Sequence, residues 1–163
     1  MTSTFERVDR TITAWMARNG LRLLRWSLGV IFLWFGALKF FPGMSPADEL
    51  ATATVERLTL GLLSGAAARI MLAILEVAIG LGLLSGRFTR ITLLFLFGQM
   101  AGTVTPLLLF PERVWVRAPA IPTLEGQYIL KNLILVSAGI VIGATARGGR
   151  LTIESEAESS SVS

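Results

Sequence analysis

Four apolar runs, each about as long as a bilayer is thick, leave this chain few folds to adopt. A helix that crosses the hydrocarbon core needs ~20 mostly apolar residues. Runs of that length cover residues 21–41, 67–85, 91–110 and 127–144. Hydrophobic residues make up 53% of the 163 residues and charged residues only 16%. Soluble domains carry about a quarter charged residues, so one small core could not hide this much apolar surface. Within lipid every backbone polar group must find its partner inside its own segment, which favours helices. The expected fold is therefore an all-α integral membrane protein, a four-transmembrane-helix bundle over residues 21–145. The second and fourth runs are rich in Gly and Ala, which lets helix backbones approach closely in lipid. Pro106 should kink the third run near one end.

The segments between the runs set the topology. In residues 1–20, Phe5, Val8, Ile12, Trp15 and Met16 recur at helical spacing with arginines between them, predicting an amphipathic helix on the membrane surface. Between the first two runs, Ser45, Pro46 and Asp48 read as an N-cap, a proline at the first helical position and a first-turn acid. Leu50, Thr54, Leu58 and Leu62 then fall on one stripe, predicting an interfacial helix ended by Ser64-Gly65. The loop after the third run contains Pro111, Pro119 and Pro122 and is expected to be an extended cover anchored at the interface by Trp115. Nine arginines (7, 10, 18, 22, 25, 87, 90, 147 and 150) flank one side of the runs. The other side has Arg57, Arg69, Arg113 and Arg117, offset by five acids. The positive-inside rule puts the nine in the cytoplasm, with both termini, and makes the interfacial helix extracytoplasmic. A bacterial plasma membrane is the expected location. Residues 146–163 are basic and then Ser- and Glu-rich, a composition expected to be disordered.

The chain has neither Cys nor His. Disulfides, thiol chemistry, histidine-ligated haem and the usual metal sites are thereby excluded, and no metal or haem is expected. The arginines flank apolar runs and form no basic face with interleaved aromatics, so nucleic acid is not an expected partner either.

Three charges lie inside the runs: Lys39, Glu76 and Lys131. A charge in hydrocarbon costs from a few to more than ten kcal/mol, so each needs a partner or a purpose. Gln99, Thr103 and Thr105 lie on the third run and Asn132 is beside Lys131, at depths that could meet the charges in the outer half of the membrane. The chain has thirteen arginines but two lysines, and both lysines are inside apolar runs. An ammonium can lose its proton on desolvation whereas a guanidinium does not, which points to a chemical need for lysine there. Glu76, Lys131 and Lys39 are the candidate reactive groups, with Gln99, Thr103, Asn132 and Trp34 as candidate ligand contacts. The plainer alternative is that the lysines snorkel to the interface while Glu76 pairs with one of them to fix helix register.

The stretches FGALKFFPGMSP, LEVAIGLGLLSGRFTR, QMAGTVTP and EGQYILKNLILVSAG, in this order, resemble the DoxX-like family of bacterial four-span membrane proteins. The resemblance covers roughly residues 21–150. Founding members of that family are associated with a thiosulfate–quinone oxidoreductase of the respiratory membrane, and others are linked to oxidative and thiol stress. The resemblance implies the four-span fold and a link to quinone chemistry.

Three functions compete on these grounds. The first is a small membrane subunit that binds a quinone or similar amphiphile, its oxygen held by Lys131 or Lys39 and its proton handled by Glu76, with electrons exchanged through a redox partner protein. The second is a proton-coupled transporter, which with four spans would need at least a homo-oligomer. The third is a non-catalytic assembly or scaffold protein whose charges only fix helix packing.

Overall fold

The structure, a computed structural model, describes residues 4–45 and 47–146. Helix α1 (Thr4–Leu38) is followed by the short α2 (Asp48–Leu58), then α3 (Gly65–Ser85) and α4 (Thr89–Val104). Two single turns, α5 (Pro106–Leu109) and α6 (Pro111–Val114), lead into a small antiparallel hairpin, β1 (Trp115–Arg117) and β2 (Ile121–Pro122), and α7 (Leu124–Thr145) closes the bundle. Four helical stretches are long and apolar enough to cross a membrane: Glu6–Leu38, Gly65–Ser85, Thr89–Leu109 and Leu124–Thr145. Many of their large side chains face outward, Trp34, Ile74, Leu94, Leu133 and Ile134 among them. That arrangement suits lipid and would be costly in water.

The N-terminal segment departs from expectation. It is no separate surface helix but the first half of one unbroken 35-residue helix. At 1.5 Å per residue α1 is about 50 Å long, well beyond a ~30 Å hydrocarbon core. The amphipathic segment of residues 1–20 runs into the first span without a break, and the Asn19 amide donates back to the Trp15 carbonyl at 3.0 Å within the helix. No proline interrupts the run.

Helices α1 and α3 make the tightest pairing. A Cβ on Gly80 would lie 2.6 Å from the Leu33 nitrogen, and one on Gly36 would lie 2.7 Å from the Glu76 Cβ. Glycine is required at both positions for the backbones to come this close. At the opposite end α3 turns into α4 through Gly86, which has φ +67. Helix α4 stops at Val104, as Pro106 predicts, since its ring nitrogen has no hydrogen to offer the Gly102 carbonyl. The Thr105 hydroxyl and amide both donate to that carbonyl instead, at 2.7 and 3.2 Å.

The segments linking α1 to α3 and α4 to α7 correct three details. Helix α2 begins at Asp48 with Ala47 at the N-cap position, so Ser45 does not cap it, and Pro46 lies outside the described residues. Leu50 and Thr54 are buried as the stripe requires, but Leu58 and Leu62 are exposed. Helix α2 ends at Leu58, and the left-handed backbone at Leu60 and Gly61 carries Leu62 off the stripe. The cover after α4 holds helical turns and a hairpin, and Trp115 is half-buried against Leu50, Val114 and Ile129. The expectation for residues 147–163 lies outside the described residues.

Two apolar cores result. The larger joins Leu28, Phe32, Ile79, Leu83, Leu93, Leu96, Met100, Ala138 and Ile142, drawn from all four long helices near the α3–α4 turn. The smaller joins Leu50, Val114 and Ile129 beneath α2 and α6.

Candidate functional site: a polar cluster in the wall of a roofed cavity

Lys39 follows the last residue of α1, and its amide still bonds to the Gly36 carbonyl at 3.2 Å. One turn earlier Gly36 presses on Glu76 of α3, so the lysine and the carboxylate are brought within reach by the glycine contact itself. Lys39 Nζ lies 2.7 Å from Glu76 Oε2, with the two side chains 11% and 12% exposed. Gln99 Nε2 on α4 donates to the other oxygen, Glu76 Oε1, at 2.6 Å. The carboxylate thus receives one charged and one neutral donor, from two different helices.

Beside this cluster is a cavity of about 560 Å³, bounded by α1, α3, α4 and α7 and roofed by α2. The lining is mostly apolar, with Phe32, Phe35, Leu75, Met100 and Ile129 prominent, and Lys39, Glu76 and Gln99 form its main polar wall. The volume lies within the range of small-molecule sites, which are mostly apolar with a few placed polar groups. Ion pairs hold the N-terminal end of the roof. Asp48 lies 3.8 Å from Arg69 of α3, and Arg113 lies 3.8 Å from Glu49 and 3.1 Å from Glu125 of α7.

Of the residues expected from sequence, Lys39, Glu76 and Gln99 are joined by hydrogen bonds, and Thr103 and Asn132 line the same cavity. The Thr103 hydroxyl is already committed to the Gln99 carbonyl, at 2.9 Å. Thr105 is not on the lining and serves the break at Pro106. Lys131 is not brought to the cluster. It is exposed on α7, with its ammonium 5.5 Å from the Tyr128 ring centre. Successive helical residues are rotated by about 100°, and the cavity-facing positions Glu125, Tyr128, Ile129, Asn132 and Leu135 leave Lys131 off that arc. Trp34 is likewise outside the lining and is 66% exposed, while Phe32 is buried against the cavity and the half-exposed Phe35 reaches its lining. Tyr128 and Glu125 reach the lining without having been expected there. The signal was available: 125, 128, 129 and 132 follow the i, i+3, i+4, i+7 spacing of one helix face.

A sequence model of the DoxX family matches residues 20–110, more than half of the chain, a stretch that contains Lys39, Glu76, Gln99 and Thr103. No curated protein and no solved structure matches the chain. With four membrane-spanning helices and this match, the chain is a multi-pass membrane protein that belongs to the DoxX family.

Proposed function

We propose that this protein is a small membrane subunit that binds a quinone, or an amphiphile of the same shape, in the roofed cavity. The observation that carries the reading is the pairing of a largely apolar space of about 560 Å³ with a hydrogen-bonded polar cluster in its wall, Lys39–Glu76–Gln99. An apolar ring and tail would fill the space, and a ring oxygen would sit at the wall. Lys39 carries three N–H donors and can keep its bond to Glu76 while donating to a ring oxygen. Charge that builds on that oxygen during reduction is stabilised by the ammonium. Glu76 is the adjacent group able to hand over or receive the accompanying proton. The electrons pass to or from a partner protein. In a bacterial plasma membrane with both termini cytoplasmic, the roof faces outward.

The test is native mass spectrometry of the protein released from mild detergent. A co-purifying species of quinone mass should appear with wild type and be lost from Glu76→Gln and Lys39→Met, while Lys131→Met should retain it. Folded wild-type protein that carries no such ligand, even after quinone is added, refutes the reading. Preservation of fold and phenotype when Lys39, Glu76 and Gln99 are all replaced by apolar residues would favour the scaffold instead.

A further inference from the structure

At the end of the bundle away from the roof, charge is one-sided. Arg22 and Arg25 lie on α1, Arg87 in the α3–α4 turn and Arg90 in the first turn of α4, and the Arg25 guanidinium rests against Gly86 of that turn. No acid occurs between Asp9 and Asp48, between Glu76 and Glu112, or from Glu125 to the end of α7. The ion pairs among the described residues, Lys39–Glu76 and those of Arg69 and Arg113, all lie at the other end. Arg90 is exposed, and among the described residues no carboxylate pairs with it.

Beside Arg90 a second cavity, of about 450 Å³, opens between α4 and α7 and shares only Leu94 with the roofed one. Helix α7 contributes Gly143 and Ala144, whose small side chains leave room, and α4 contributes Arg90, Leu93, Leu94 and Phe97. These four follow the i, i+3, i+4, i+7 spacing of one helix face. The cation is at the helix end and the apolar residues run inward from it for roughly 10 Å. A groove that is cationic at the membrane boundary and apolar below it has the polarity profile of a phospholipid.

We infer that this groove binds one phospholipid of net negative headgroup, its phosphate held by Arg90 and an acyl chain lying along Leu93, Leu94 and Phe97 against α7. A guanidinium offers a phosphate two parallel N–H donors. Basic pockets between membrane helices take such headgroups. A zwitterionic headgroup brings an ammonium to an end of the bundle that has arginines and no acid to receive it. The site is independent of the quinone reading.

Native mass spectrometry of the delipidated full chain tests this, with equal amounts of phosphatidylglycerol and phosphatidylcholine of identical chains added. Wild type should retain one phosphatidylglycerol about fivefold over phosphatidylcholine, the scale of one interfacial arginine. In Arg90→Gln the two lipids should be retained to within about twofold of each other. Arg87→Gln, equally exposed but off the groove, should keep the wild-type preference. Gly143→Leu, which fills the groove, should lose the retained lipid of either kind. Equal retention on wild type overturns the inference. So does a preference that falls as far in Arg87→Gln as in Arg90→Gln, which is diffuse charge, or one undiminished in Gly143→Leu, which is adsorption of the headgroup alone. A lipid-free dimer of wild type that is absent from Gly143→Leu gives the groove to a second copy of the chain and overturns it too. Should Gly143→Leu not fold, the contrast between Arg90→Gln and Arg87→Gln decides alone.

Discussion

Removing Lys39 alone should damage this protein more than removing Lys39 and Glu76 together. The pair is 2.7 Å apart and nearly nine-tenths buried on both sides. Lys39→Met leaves the Glu76 carboxylate with Gln99 as its remaining donor, and Glu76→Met leaves an ammonium among Phe35, Leu75 and the rest of the lining. Breaking one side of a buried pair costs about 3–5 kcal/mol, because a desolvated charge remains. Replacing both sides with apolar residues of similar volume is often neutral or stabilising. The double variant should thus lie within about 1–2 kcal/mol of wild type, and the singles should fail to add by at least 2 kcal/mol or so. At about 2–4 °C per kcal/mol for a chain of this size, each single should melt roughly 6–20 °C lower. The assay is thermal unfolding in one fixed detergent, read by tryptophan emission and completed as a double-mutant cycle. Single losses that sum to the double loss would refute the buried pair, and so would singles indistinguishable from wild type.

Three further outcomes follow from other parts of the molecule. Gly80→Val should lower stability by about 1–3 kcal/mol or more and abolish ligand retention, because the added Cβ would meet the Leu33 backbone at 2.6 Å and wedge α1 from α3; a melting curve unchanged from wild type would contradict that packing. Lys131→Met should leave melting temperature and ligand binding unchanged or raise stability slightly, since the lysine is exposed on α7 outside the cavity; a loss of ligand would return Lys131 to the site. The chain has no cysteine, so single cysteines report topology without background: Leu60→Cys, at a residue 93% exposed beyond α2, should react with a membrane-impermeant thiol reagent on intact cells, and Thr11→Cys only after permeabilisation. The reverse pattern would invert the orientation.

The spans were legible because lipid enforces them. Runs of apolar residues near bilayer length admit one backbone solution; the second, third and fourth spans lie within a few residues of the expected runs, whereas the first helix begins well before its run. The continuity of α1 was not legible, since the amphipathic pattern of residues 1–20 gives way to an apolar run from Leu21, and the change of pattern reads as a boundary between two elements. Within the site, Glu76 and Lys39 announced themselves by the cost of a charge in hydrocarbon. Which lysine Glu76 would meet did not follow from depth, because Lys39 lies just past the C-terminus of α1 and Lys131 near the N-terminus of α7, at the same end of the bundle. The choice is made by rotation about the helix axis. Gly36 pins α1 against Glu76 and turns Lys39 inward, whereas Asn132 takes the inward position on α7 and leaves Lys131 outside.

The cavity comes from helices that are tightly packed at one end and released at the other. Around the α3–α4 turn the larger core is closed by Leu28, Ile79, Leu83, Leu93, Leu96 and Ile142. Towards the opposite face α1 and α3 remain locked by their glycines, which holds Lys39 and Glu76 together on one side of the bundle. Across from them Pro106 ends α4 shortly after Gln99, and Pro106 itself lines the space. Two opposed devices, a close approach and an interruption, therefore place the polar wall where the bundle is open. Helix α2 covers the opening through Leu50 and Thr54, and its ion pairs to Arg69 and Arg113 are long, 3.8 Å each against 2.7 Å for Lys39–Glu76. A roof tied by weak pairs over a site held by a strong one can open without unfolding what it covers, which is the division of stability that reversible exchange of a membrane-borne ligand requires.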